Sequence, residues 1–304
     1  MCCIILQPDL YHFMARNIEE SELILNADGS VYHLHLKPED LGELVILVGD
    51  PDRVEQVSVH FDSIDTKKQK REFITHTGRI GNKRLSVIST GIGTDNIDIV
   101  LNELDTLVNI DLENRIVKAN QVSLPIIRIG TSGSLQPDIK VDDILLSSYG
   151  LGLDSLMLYY EYESDLQTSN MLNEISSQLN LANIRPYLFK APGRLSDFFN
   201  DEVKHGITAT CCGFYGPQGR VLRSGARFND LIARLHQLKA GATRITNFEM
   251  ETAAIYGMAS ILGHRALSVN AILANRIEHR FSSNGLATID KAIKMVLDKA
   301  EQIS

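Results

Sequence analysis

The 304-residue sequence contains no apolar run near the ~18–20 residues that cross a bilayer. Its longest runs, such as Leu44 to Val48 and Asp143 to Leu146, are of strand length, so a transmembrane helix is excluded. Excess positive charge is lacking too. The 30 Lys and Arg are outnumbered by 38 Asp and Glu, giving a formal net charge of −8, and no global field exists to hold a polyanion. A general nucleic-acid binder is therefore excluded. Cysteine is scarce and badly spaced for disulfide or zinc work: the four occur as adjacent pairs, Cys2-Cys3 and Cys211-Cys212, where a site would space its ligands as in C-x2-C. They read as reduced cytosolic thiols. Residues Met1 to Leu6 lack a basic lead, and Gln7-Pro8 ends their apolar character, which makes a poor signal peptide. A cytoplasmic location is expected. No repeat, low-complexity tract or Pro/Ser-rich linker interrupts the chain, and 44% hydrophobic with 22% charged residues excludes a disordered or collagenous one.

The length is roughly two to three times the ~100–150 residues typical of one domain. What fills it is a succession of apolar runs that end in glycine loops and lead into helical patterns, the signature of an α/β protein. Residues 1–30 are weakly periodic and end in the turn-rich Asn26 to Ser30, which predicts an arm before a domain spanning 31–304. Val31 to Leu36 alternates like a short strand; Glu43 to Val48 and Ile126 to Ile129 read as buried strands. Glu72 to Thr77 and Arg84 to Thr90 flank Gly81-Asn82 as a hairpin, and Asp143 to Ser148 and Gly206 to Thr210 are further strands. Helices are expected over Arg53 to His60, after an Asp95 or Asn96 cap, and over Leu166 to Leu179, Glu249 to Leu262 and Leu286 to Ile303. A strand over Ala266 to Leu273 precedes the last of these.

Glycine-ended strands are where open α/β sheets bind ligands, because their loops converge and expose N–H groups. Gly49-Asp50-Pro51-Asp52-Arg53 places an arginine at a helix start, where the dipole favours an anion; alone, such a turn is commonplace. Ser89-Thr90-Gly91-Ile92-Gly93-Thr94 begins like a dinucleotide fingerprint, but Asn96 occupies the third glycine position and the expected acid is missing. Arg128 sits in an apolar strand, so it must meet an acid or an anionic ligand. Thr131 and Ser132 follow it, and the run from Gly130 to Ser134 does not make the G-x-S-x-G of a serine hydrolase. The loop Gly213 to Arg220 offers aromatics, an amide and a guanidinium, a set that could stack on a planar ring and pair with its edge or form a plain turn. In Asn247-Phe248-Glu249-Met250-Glu251 two acids open a helix, either as dipole partners or as acceptors for sugar hydroxyls.

Taken in order, GDPDR, REF, STGIG, RIGTSG, FYGPQGR and NFEME resemble the nucleoside phosphorylase-I family, and within it the uridine-specific branch. The resemblance covers residues 31 to about 280. It implies a single-domain α/β/α sandwich with a mixed central sheet, and reversible phosphorolysis of uridine to uracil and ribose 1-phosphate. Carried over, it implies that Gly49, Arg53, Arg128 and Thr131 bind phosphate, with Arg71 donated by a neighbouring subunit. Glu251 would hold the ribose hydroxyls, with Met250 and Glu249 in the same pocket, and His33 would reach across a dimer to the ribose 5′ end. Gln218 and Arg220 would read the uracil edge, Phe214, Leu273 and Ala274 would line the base pocket with Arg276 behind, and Ser132 would lie near the base.

That chemistry needs no metal or organic cofactor, inorganic phosphate being a co-substrate. Bacterial relatives hold a monovalent cation with a glutamate and a serine; Glu72 is present here, but Asn96 lies near the serine position, so no cation is expected. The implied partners are small molecules and a second copy of the chain, as a homodimer able to build a hexamer, with no nucleic acid and no membrane. Purine-specific relatives carry an aspartate after the strand that follows the EME helix, whereas Val269 to Arg276 holds no acid. A phosphorylase for another nucleoside and a catalytically silent nucleoside-binding protein on the same fold are the alternatives.

Overall fold

The computed structural model describes residues 17–181, 183–199 and 203–303. The leader reading and Cys2-Cys3 lie outside them. Among the described residues no helix is long and apolar enough to cross a membrane. The strands of the described residues run β1 Leu44–Val48, β2 Ser63–Lys70, β3 Phe73–Ile80, β4 Lys83–Ser89, β5 Ile110–Asp111, β6 Ile116–Val117, β7 Pro125–Ser134, β8 Ile144–Gly152, β9 Tyr187–Lys190, β10 Lys204–Thr210, β11 Lys239–Ala240, β12 Thr243–Glu249, β13 Arg265–Asn275 and β14 Arg280–Phe281. The α-helices are α1 Pro51–Ser58, α2 Thr94–Asn109, α3 Leu166–Leu179, α4 Leu231–Gln237, α5 Thr252–Ile261 and α6 Gly285–Leu297.

Twelve strands form one mixed sheet in the order β11-β12-β10-β8-β13-β7-β1-β4-β3-β2, with β9 on β8 and β14 on β13. β12 also pairs antiparallel with β7 through Asn247 and Phe248, so part of the sheet closes on itself and draws the ends of β7, β12 and β13 together. All five residues of β1 are buried because helices cover both faces. Val45 and Leu47 pack with α2 and α5, while Ile46 and Val48 pack with α1 and α6. A third core, including Leu151, Ile207 and Ile245, lies under α3 and α4.

The hairpin β3–β4 and helix α3 fall where the sequence places them, and several boundaries do not. Val31 to Leu36 is not a strand: Val31 makes a single bridge to Leu25, and the Glu103 carboxylate takes the N–H groups of His33 and Leu34 that a ladder would have used. The EME segment is not helical throughout, since Glu249 ends β12 and α5 begins at Thr252. Its carboxylate accepts Thr252 N–H at 2.9 Å, which stops the orphan donors of the helix start. Helix α2 is capped at Gly93 (φ 102°) rather than at Asp95 or Asn96. Helix α1 starts two residues before Arg53, on Pro51 with Asp50 as its cap. β7 runs on through Gly130 to Ser134. Strand β2 has no sequence signal, being solvent-facing and without alternating apolar residues. The described part of the N-terminal segment is tied down: Arg115 donates to the carbonyls of Ile18, Glu19 and Leu23.

Candidate active site

A cleft of about 730 Å³ opens where these strands end, within the roughly 300–1,000 Å³ of small-molecule sites. Gly49, Asp50, Pro51 and Arg53 come from the β1–α1 junction, Arg128, Thr131, Ser132 and Gly133 from β7, and Phe248, Glu249, Met250 and Glu251 from the β12–α5 junction. Phe214, Gln218 and Arg220 form another wall with Leu273 and Ala274 of β13.

One end of the cleft carries two buried arginines. Arg53 is 8% exposed, and among the described residues its buried Nε has no hydrogen-bond partner. Burial lowers its pKa most, and neighbouring Arg128 adds to that, against the pull of Asp50 and Glu251. A buried guanidinium with an idle donor at a helix N-terminus is a place for an oxyanion. Arg128 is differently held. Its Nη2 lies 2.5 Å from Glu251 Oε2 and 3.1 Å from Glu249 Oε2. Burial opposes its charge most strongly, but the two carboxylates outweigh it and the pKa is raised. The guanidinium folds back over Gly130, where an added Cβ would sit 1.8 Å from Arg128 Nη1; only glycine leaves that path open.

The two acids divide their work. Glu249 takes Thr210 Oγ1 at 2.7 Å, Glu251 N–H at 2.9 Å and Thr252 N–H, so both its oxygens are engaged within the protein. Burial raises its pKa, Arg128 opposes this, and Glu251 adds to it. Glu251 accepts Gly93 N–H on Oε1 at 2.8 Å and Arg128 on Oε2, keeping lone pairs beside the cleft.

At the other end Arg220 lies 3.7 Å over the Phe214 ring. Its Nη1 donates to Gln218 Oε1 at 2.7 Å and to Phe214 O at 2.6 Å. Burial, with Arg276 adding, pushes its pKa down to about 10. Arg276 donates to Gln218 O at 3.1 Å, so it braces the loop from behind. Ser132 is committed internally: its Oγ accepts from Asn247 Nδ2 at 2.6 Å and donates to Phe248 O at 3.1 Å.

Arg71 and His33 do not line this cleft. The two-residue turn between β2 and β3 sends Glu72 into it, while Arg71 (φ 55°) is exposed outside. Glu72 Oε1 accepts from Asn96 Nδ2 at 3.3 Å. Ile92 of the STGIG run and Phe248 of NFEME also line it, as does Phe281, which lies in no motif. Phe281 arrives because β14 folds back on Ala274 and Asn275, a two-residue pairing with no sequence signal.

The phosphorylase superfamily profile matches residues 43–303. A uridine phosphorylase of Thermococcus kodakarensis is 30% identical over 298 residues, 95% of this chain and 92% of its own length. One from Escherichia coli is 27% identical over 283 residues, 90% of this chain and 98% of its own. Among solved structures, a Trypanosoma brucei nucleoside phosphorylase that shows uridine phosphorylase activity superposes with a TM-score of 0.83 at 29% identity, over 92% of this chain and 99% of that one.

Proposed function

The chain belongs to the phosphorylase superfamily, and from that premise we propose that it phosphorolyses uridine reversibly to uracil and ribose 1-phosphate. The observation that carries this reading is one cleft holding the under-partnered Arg53 at one end and the Gln218–Arg220 pair at the other, with Glu251 between. The reaction breaks the glycosidic C–N bond and forms a C–O bond to phosphate through an oxocarbenium-like ribosyl centre. Arg53, Arg128 and Thr131 would hold the phosphate beneath C1′, and forked arginine bonds suit that anion. Glu251 would accept from the 2′ and 3′ hydroxyls and complement the developing cation. Gln218 would pair with O2 and N3, and Arg220 would stabilise charge gathering on O4, so the protein supplies no strong general acid.

A purine reading is disfavoured by the lack of an acid from Val269 to Arg276. Arg71 and His33, which lie outside their own cleft, would complete a neighbouring copy's site, making a homodimer the active unit. A cytoplasmic location belongs to the same proposal, supported by the free thiols of Cys211 and Cys212.

Two substitutions test the ends of the cleft. Arg53→Met is expected to raise KM for phosphate about 10- to 150-fold while KM for uridine changes little, since charge-assisted hydrogen bonds are worth about 1.5–3 kcal/mol; steady-state kinetics against varied phosphate check it. Gln218→Ala is expected to lower kcat/KM for uridine about tenfold with phosphate KM nearly unchanged. An equal loss on both substrates would indicate collapse of the loop instead.

A further inference from the structure

His33 stands outside its own cleft, yet one carboxylate fixes it. Glu103 of α2 accepts the His33 N–H at 2.8 and 3.0 Å and the Leu34 N–H at 2.7 Å, and its Oε1 lies 2.7 Å from His33 Nδ1. An ionised carboxylate has only lone pairs to offer, so Nδ1 must carry the proton. In the neutral ring Nε2 is then an acceptor, on the opposite side of the ring from Glu103. The ring is also held edge-on to Tyr32 at 4.8 Å and to Phe73 at 6.3 Å between centroids, and the side chain keeps 25% exposure. Glu103 itself is mounted on a helix whose cap, Gly93, donates to Glu251 in the cleft. A group held on a helix is placed more sharply than one on a loop.

We propose that Glu103 is a positioning residue that locks His33 in the Nδ1–H tautomer and presents Nε2 as an acceptor for the 5′-hydroxyl of the nucleoside. The inference rests on the reading that His33 completes the site of a neighbouring copy. It makes the His33 tautomer, set by Glu103, the source of any preference for a 5′-hydroxyl over a 5′-deoxy nucleoside.

Uridine and 5′-deoxyuridine separate this role from a merely structural one. The wild type is expected to favour uridine in kcat/KM by about five- to tenfold, the worth of one net hydrogen bond. His33→Ala is expected to abolish that preference. Glu103→Gln keeps an acceptor for the backbone but turns an amide donor toward Nδ1, which favours the reversed tautomer; the preference is expected to fall toward that of His33→Ala, with 5′-deoxyuridine kinetics little changed. Independently of whether the variant folds, 15N spectra of histidine-labelled wild type, with His33 identified by its loss in His33→Ala, should report the proton on Nδ1. A proton on Nε2, or a wild-type preference retained in Glu103→Gln, overturns the proposal. Uridine turnover without any preference over 5′-deoxyuridine removes His33 from the 5′ end and the proposal with it, whereas absence of uridine turnover condemns the phosphorylase reading on which it rests.

Discussion

Arg128→Ala is expected to cut kcat/KM for phosphate by at least about a hundredfold and to destabilise the protein by about 3–5 kcal/mol, the range for breaking a buried ion pair on one side. The two losses have separate causes. On the proposed reading, catalysis loses a charged contact to the phosphate. Stability falls because Glu249 and Glu251, both nearly inaccessible, are left as neighbouring carboxylates with their shared cation gone. Arg128→Lys should recover more of the stability than of the phosphate use, because both acids meet the one nitrogen Nη2, which an ammonium can replace, while the planar group's other donors are lost. The pH dependence has a definite sign. Burial already raises the Glu249 pKa, and removal of Arg128 raises it further. The native state then binds a proton that the unfolded chain releases at lower pH, so the variant's deficit grows as pH rises between the unfolded and folded pKa values and shrinks below them. Urea midpoints at several pH values without phosphate measure the stability loss, and a deficit independent of pH would speak against the uncompensated pair.

Glu251→Gln is expected to lower kcat about 10- to 150-fold, following the 1.5–3 kcal/mol of a charge-assisted hydrogen bond, with a much smaller effect on stability. The amide keeps an acceptor for Gly93 N–H, and Arg128 keeps Glu249. On the proposed reading, what disappears is the negative charge that would complement a ribosyl cation, an interaction realised chiefly in the transition state. The loss should therefore appear in kcat more than in the uridine KM. A variant that raises KM alone would make Glu251 a binding residue with no share in charge stabilisation.

How far the sequence discloses this site depends on whether a signal is local. Gly49, Arg53 and the run after Arg128 announce themselves because a glycine and a charged or hydroxyl residue fall together at a strand end. That Arg128 needs an anionic partner follows from its apolar neighbours; that its partners are Glu249 and Glu251, more than a hundred residues away, needs the closure of β7 onto β12. Glu249 is a strand residue where composition reads helix because it pairs with Thr210 of β10. The closure also commits the Ser132 hydroxyl to Asn247 and Phe248, which leaves that side chain less available to a base than its place in the motif implies. Phe281 escapes notice because its position depends on two residues folding back onto β13. Alternation misleads at Val31 to Leu36, where a distant glutamate satisfies the backbone instead of a strand.

The most direct test of the account is initial-rate ultraviolet assay of the wild type with uridine, thymidine, inosine and adenosine, each with and without phosphate. Phosphate-dependent cleavage of uridine, faster than that of either purine nucleoside, is the expected result. Inosine or adenosine outpacing uridine would contradict the pyrimidine assignment, and no phosphate-dependent turnover of any of the four would contradict the enzyme itself.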